Sequence, residues 1–534
     1  MALITRRRFF MIKFADVTFH YPRRIRAVEN LSLHINAGEK CAIIGNNGSG
    51  KTTLALLAKG LLKAESGRIE IDRLNPAESA DGPALKRKVG LVFQNPDNQL
   101  VASTVEREIA FTLENLNMPR PEMKQRVGEM LRLFNLEEKR ERLTSQLSGG
   151  EKQKLALASV MAAAPEILIL DEPGSFLDEA GKRLLHEALT GLLQVHPLLT
   201  VVRITQYSYI AEQYPRLIVL SKGKVLFSGT PGEAFSNPAL CREAGIEPPL
   251  RYRLHCHAGK KVERKNSSSL MESPIRRIKI ENLEFAYPDG SADDRLFCGE
   301  SLAVDNRSVY GLVGPSGSGK STLIQLMAKL LKPDRGKILY TGFDSENPRL
   351  AVSFQHPERQ FFLETVEKEI RFGAENFGLT EIDRIAEDCY RMVGLKRASF
   401  YNRDPFSLSG GEKRRLAFAS ILSMKPSYVF FDEPTSGLDT EGIEHFRRLV
   451  KSLKEQGVGV MIISHYGNII FDLCERIITL KQGRIESNFS REEFFRNSAY
   501  QDFLSEPELI TFQLQEWGEI RRFDEAGIKE ELGL

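Results

Sequence analysis

The stretch KCAIIGNNGSGKTTLALLAKGLL, residues 40–62, changes character twice along its length. Residues 40–45 are mostly apolar and read as a short buried strand, whereas 51–62 carry a helical pattern. Between them Gly45, Asn46, Asn47, Gly48, Ser49 and Gly50 form a loop with no bulky side chain. Glycines let successive backbone N–H groups curl around phosphate oxygens without Cβ clashes. The helix that starts beside the loop adds its positive dipole end. Lys51 is then placed to reach the β- and γ-phosphates of a nucleotide and Thr52 to ligate Mg²⁺, with Thr53 following in the helix. A single loop of this kind could still be a glycine-rich turn without chemical meaning.

The pattern returns as Gly314, Pro315, Ser316, Gly317, Ser318, Gly319, Lys320, Ser321 and Thr322. Longer windows repeat too. VGLVFQNPDNQLVASTVEREIAFTLEN (89–115) comes back as LAVSFQHPERQFFLETVEKEIRFGAEN (350–376). Gln94 and Gln355, Ser148 and Ser409, and Asp171 and Asp432 are each 261 positions apart. A constant spacing means equal loop lengths, hence two copies of one fold. The expected division is 11–250, a charged and Ser-rich linker over 251–274, and 275–534 with a helical C-terminal extension. Strand, glycine loop and helix in alternation predict α/β domains with mostly parallel central sheets.

Each copy also ends an apolar strand in acid. ILILDEP (167–173) and YVFFDEP (428–434) place Asp171 and Asp432 where a carboxylate would hold Mg²⁺ through water. Glu172 and Glu433 follow directly, positioned to polarise an attacking water as general bases. Strand-end solvation alone does not explain Asp-Glu-Pro occurring twice.

Composition limits the remaining choices. The 534 residues exceed what one core supports. Lys plus Arg (74) and Asp plus Glu (71) leave a net charge of only +3, so no nucleic-acid footprint is expected. No run approaches the ~18 apolar residues that span a bilayer. The basic N-terminus lacks the apolar core of a signal peptide, and the functional start is open between Met1 and Met11. Six scattered cysteines suit free thiols in a reducing compartment. The triplet His255-Cys256-His257 has no second pair of ligands, and no metal site is read there.

LSGGEK at 147–152 and again at 408–413 resembles the signature motif of ATP-binding-cassette (ABC) proteins. The resemblance covers nearly the whole chain. It implies two P-loop NTPase nucleotide-binding domains, each with a helical signature subdomain, packed head to tail as an intrachain pseudo-dimer that hydrolyses ATP with Mg²⁺. Ser148 and Gly150 would then face the nucleotide on Lys320, and Ser409 and Gly411 the nucleotide on Lys51. Tyr21 and Tyr287 match the aromatic that stacks on adenine, although either alone could be a strand-edge aromatic. Gln94 and Gln355 match the Q-loop glutamine, which contacts Mg²⁺ and the attacking water. Asp178 and Asp439 match the D-loop aspartate, and His465 matches the histidine that contacts the γ-phosphate. The first copy departs from the pattern: Gln206 stands where that histidine belongs, and Gly174 where the second copy has Thr435. A slow Lys51 site and a fast Lys320 site are expected if glutamine is a poor substitute; an adequate substitute would leave the two alike.

The windows after the glutamines, NPDNQ (95–99) and HPERQ (356–360), resemble the ATPases of energy-coupling-factor (ECF) importers, as does GTPGEAF (229–235). That family implies a transmembrane T-component, a substrate-capturing S-component for a vitamin or metal ion, and a peripheral position on the cytoplasmic face of the cell membrane. Two alternatives stand beside it: the tandem ATPase of a sugar-type importer, and a soluble ribosome-associated tandem translation factor. The intact second P-loop and both LSGGE motifs argue against the first. The short Ser-rich linker and near-neutral charge argue against the second.

Overall fold

A short strand that is apolar on both faces is stable only when covered on both sides, and such strands form the centre of each half of this chain. The computed structural model describes residues 10–22, 25–175, 177, 179–256, 274–287, 295–345, 347–497, 503–504, 507–521, 528 and 531. The chain divides into two compact units, Met1–Cys256 and His257–Leu534.

In the first unit β1 (Phe10–Tyr21) and β2 (Ile25–Asn36) pair antiparallel and lead into β3 (Lys40–Ile44) and β4 (Ser66–Ile71). β4 returns alongside β1, so a three-stranded antiparallel sheet forms in the order β2-β1-β4. The remaining strands are β5 (Val89–Val92), β6 (Ile167–Asp171), β7 (Thr200–Ile204), β8 (Arg216–Ser221) and β9 (Lys224–Gly229). With β3 they build a six-stranded sheet in the order β5-β6-β7-β3-β8-β9, parallel except for the β8–β9 edge. Phe14, Ile35, Leu57, Ile71 and Ile169 fill the space between the two sheets and the helix Lys51–Ala58. Each such side chain contributes about 1.5–3 kcal/mol on burial. A second core, with Ile109, Leu131 and Leu155, joins the helices Val105–Glu114, Arg120–Leu133 and Gly149–Ala162 to the other face of the sheet.

The second unit repeats this plan. Its strands are β10 (Arg277–Phe285), β11 (Phe297–Asp305), β12 (Val309–Val313), β13 (Arg335–Thr341), β14 (Leu350–Ser353), β15 (Tyr428–Asp432), β16 (Gly459–Ile463), β17 (Arg476–Lys481) and β18 (Arg484–Ser490). The sheet orders are β11-β10-β13 and β14-β15-β16-β12-β17-β18. Helices Val366–Asn376, Ile382–Met392 and Gly410–Leu422 form its helical part. The helix Glu508–Trp517 buries Ile510 in the same core as Phe503 and Leu504.

Two local expectations change. The helix expected over 51–62 ends at Ala58, because Gly60 turns the chain with φ +74°. Part of the expected linker is helical, Leu250–Cys256, and its Leu250 and Leu254 are buried in the first unit. The rest of that linker up to 273 lies outside the described residues, as do residues 1–9 and the side chains of the 255–257 triplet. Among the described residues there is no cluster of potential metal ligands of the His, Cys and acidic types. Nor is any helix long and apolar enough to cross a membrane.

This topology positions chemistry at one edge. Strands β5, β6, β7 and β3 run parallel, so the residues that follow them, Gln94, Glu172, Gln206 and Gly45, leave the sheet at the same carboxyl edge. In the second unit β14, β15, β16 and β12 deliver Gln355, Glu433, His465 and Gly314 in the same way. Ligands of open α/β sheets bind at that edge.

Candidate active site

The glycine loops are shaped by close approach. A Cβ on Gly45 would lie 2.1 Å from the Leu220 carbonyl oxygen, and one on Gly314 would lie 2.0 Å from that of Leu480. No other residue fits where the loop leaves its strand. Lys51 Nζ donates to the carbonyls of Gly45 (2.7 Å) and Asn46 (3.0 Å). Lys320 Nζ donates to those of Gly314 and Pro315, both at 2.8 Å. Each ammonium is thus folded back over its own loop. The hydroxyls of Ser49 and Ser318 are buried inside the loops with no hydrogen-bond partner among the described residues. Two equivalent orphaned hydroxyls in two glycine loops fit an oxyanion that both would contact.

Tyr21 and Tyr287 are tied to the following helix at the hydroxyl, to Thr53 at 3.3 Å and Thr322 at 2.8 Å. The Tyr287 ring is half exposed. Each ring also meets a phenylalanine edge-on, Phe19 or Phe285.

Asp171 and Asp432 are both buried at the ends of β6 and β15. Burial pushes the Asp171 carboxyl up to about 6, and Glu172 adds to it, while the Thr52 hydroxyl and Lys51 oppose the rise. Asp432 moves in the same direction for the same first reason, although Ser321 donates to its Oδ2 at 2.6 Å. A buried carboxylate held beside a hydroxyl is a hard-oxygen donor set, and it fits Mg²⁺. Thr52, Asp171 and Gln94, and Ser321, Asp432 and Gln355, are the residues that would hold one.

The two glutamates that follow sit in the left-handed region, φ +45° at Glu172 and +47° at Glu433. For a non-glycine residue this is a strained conformation, and strain of this kind gathers at functional sites. Their partners differ. Glu172 Oε2 accepts from Gln94 Nε2 at 3.3 Å and from Ser175 Oγ at 3.0 Å. Glu433 Oε1 instead faces His465 Nε2 at 3.6 Å, and the other imidazole nitrogen lies 3.5 Å from the Phe503 carbonyl. Gln206, at the position of that histidine, has both amide atoms shielded from solvent, and it lies within reach of the Tyr207 side chain rather than of Glu172. Gln355 is exposed. Ser175 was not picked out in the sequence, although its repetition as Ser436 was a usable signal.

The signature residues open long helices. Ser148 and Ser409 are N-caps with complete capping boxes, closed by Glu151 and Glu412. Gly150 packs so tightly that a Cβ there would lie 2.6 Å from Gly181 Cα. Asp439 caps the helix Thr440–Glu455, accepting from the Gly442 N–H at 2.9 Å. Asp178 lies outside the described residues.

The sequence profile of the family described as ABC transporter matches residues 28–175 and 299–436. A provisionally named ABC transporter ATP-binding protein of Caldanaerobacter subterraneus subsp. tengcongensis is 31% identical over 525 residues, covering 88% of this chain and 90% of that protein. A protein of Bacillus subtilis, provisionally named an HMP/thiamine import ATP-binding protein, is 30% identical over 512 residues, covering 90% and 91%. Among solved structures, cbiO1 of Clostridium perfringens, described as part of the ABC transporter complex cbiONQ, is 30% identical. It covers 46% of this chain and 98% of its own, with a TM-score of 0.40.

Proposed function

The chain belongs to the ABC transporter family and is a tandem ABC ATPase with one cassette in each half, and we propose that it powers an energy-coupling-factor importer for a vitamin or metal ion. In that reading it sits on the cytoplasmic face of the membrane and drives separate T- and S-components. The observation that carries it is an exposed apolar surface directly after each candidate Q-loop. Phe362 is 62% exposed and stacks edge-on against Phe372 with ring centroids 4.8 Å apart. Val101 and Phe111, in the corresponding stretch of the first cassette, are 66% and 42% exposed. A water-facing Phe362 packed on a partly buried Phe372 beside a nucleotide-sensing glutamine suits a membrane protein's coupling helix, because a few aromatics dominate such interfaces. The import role in the name of the Bacillus subtilis relative agrees with this reading.

The cassettes are proposed to pair head to tail, so that Ser148 and Gly150 complete the Lys320 site and Ser409 and Gly411 the Lys51 site. Capped helix N-termini supply donors for a γ-phosphate when the sandwich closes. The glycine loops and lysines bind the phosphates, Tyr21 and Tyr287 receive the adenines, and Asp439, with Asp178 in the other cassette, links the two sites. Glu172 and Glu433 orient the attacking water and take its proton. Mg²⁺, when bound, neutralises phosphate charge. His465 holds Glu433 and the γ-phosphate in one arrangement, whereas Gln206 has no imidazole to offer. The Lys320 site is therefore the faster one.

Affinity purification of the tagged chain from detergent-solubilised membranes tests the transport reading. Recovery of a multi-span membrane protein together with a small S-type membrane protein is expected. Recovery of ribosomes, or of no membrane protein, contradicts it.

A further inference from the structure

The two signature helices differ at one buried position. Gln153 in the helix Gly149–Ala162 and Arg414 in the helix Gly410–Leu422 are again 261 positions apart. Both side chains turn inward, and both reach the residue just before the candidate Q-loop glutamine. Gln153 Nε2 donates to the Phe93 carbonyl at 3.2 Å, and an Arg414 guanidinium nitrogen donates to the Phe354 carbonyl at 3.0 Å. Arg414 makes a second bond that Gln153 does not. Its other terminal nitrogen donates to the Ser436 carbonyl at 3.4 Å, in the turn three residues after Glu433. The Gln153 carbonyl oxygen, by contrast, has no partner among the described residues.

We propose that Arg414 is a positioning residue that ties the Q-loop to the Glu433 turn through the signature helix, and that the first cassette lacks the second half of this tie. Arg414 as a residue is only 5% exposed, and a buried guanidinium is costly unless its donors are satisfied. It has no carboxylate within ion-pair range among the described residues, and its two bonds go to backbone carbonyls. Burial lowers it to about 10, while the negative field of Glu433, Glu358 and Asp432 opposes the shift. Glu358 lies in the short helix Pro357–Gln360 that follows Gln355, so the charge feels both segments it joins. The planar fork bonds two carbonyls on different segments through two separate terminal nitrogens, whereas the amide of Gln153 reaches only the Phe93 carbonyl. Displacement of the Q-loop segment is then passed to the backbone that holds Glu433. In the first cassette Gln153 holds the Q-loop alone, and Glu172 is held from the other side by Gln94 and Ser175.

The inference rests on the ATPase activity and not on the identity of the membrane partner. Steady-state hydrolysis by the full chain is measured for the wild type and for Arg414→Gln, which reproduces the arrangement of the first cassette. The expected result is a fall in kcat of about tenfold, the effect of one charge-assisted hydrogen bond, with KM for ATP within about twofold and an unchanged melting temperature. If Arg414→Gln does not accumulate as folded protein, Arg414→Lys decides, since it keeps the buried charge but not the fork; the same fall is expected. Unchanged kcat in the folded variant overturns the inference, as does a loss shared equally by kcat, nucleotide affinity and melting temperature. An inactive wild type would overturn the ATPase assignment instead.

Discussion

His465 Nε2 stands 3.6 Å from Glu433 Oε1 at the carboxyl edge of the second sheet. Its counterpart in the first cassette, Gln206, makes no hydrogen bond to Glu172, which is held by Gln94 and Ser175. The two glutamates share a sequence context and a strained backbone but not a set of partners. A general base held by neutral donors in the ground state must break those bonds to reach water.

If the missing imidazole limits the first site, Gln206→His raises its turnover by at least about tenfold, since one well-placed donor in such a site contributes 10²–10³. The measurement is made in a Glu433→Gln background, where the fast site is silent. No increase there assigns the slow rate to Gly174 or to the opposing signature.

Phe362→Asp leaves nucleotide binding intact and detaches the membrane partner. The ring is exposed and touches Phe372, so the cassette core does not depend on it. Parallel nucleotide-binding and pull-down assays check both halves. Unchanged partner recovery counts against the coupling surface, and lost nucleotide binding would place Phe362 in the cassette's own core.

Much of this arrangement is visible in local sequence. The glycine loops, the Asp-Glu-Pro ends of β6 and β15 and the LSGGEK helices are each decided within a few residues, because strand, turn and helix cap are short-range structures. The constant spacing from Gln94 to Gln355 made the duplication legible as well. What could not be read depends on side chains meeting across the fold. Glu172 and Glu433 occupy identical motifs, so nothing local foretells that one meets Gln94 and Ser175 while the other faces His465. Arg414 belongs to a run of charges on a helix, and its burial against the Phe354 and Ser436 carbonyls depends on segments far away in sequence. The linker was expected to begin at 251, inside the helix Leu250–Cys256, because the polar residues around Leu254 mask its burial.

Tyr428 offers a stability test away from the chemistry. Its side chain is fully buried, its hydroxyl has no hydrogen-bond partner among the described residues, and the equivalent position in the first cassette is Ile167. An unsatisfied buried hydroxyl costs about 1–3 kcal/mol. Tyr428→Phe removes it at nearly constant volume, so thermal unfolding of the second cassette shifts upward with ATPase activity unchanged. A lower melting temperature would show that the hydroxyl has a partner.

The unequal sites are tested most directly by steady-state ATP hydrolysis of two single variants of the full chain, Glu172→Gln and Glu433→Gln. The account predicts that Glu433→Gln retains less than about a tenth of wild-type turnover, since removal of a general base costs 10²–10⁴ at its own site. Glu172→Gln should retain a substantial fraction. Equal losses in the two variants would contradict it.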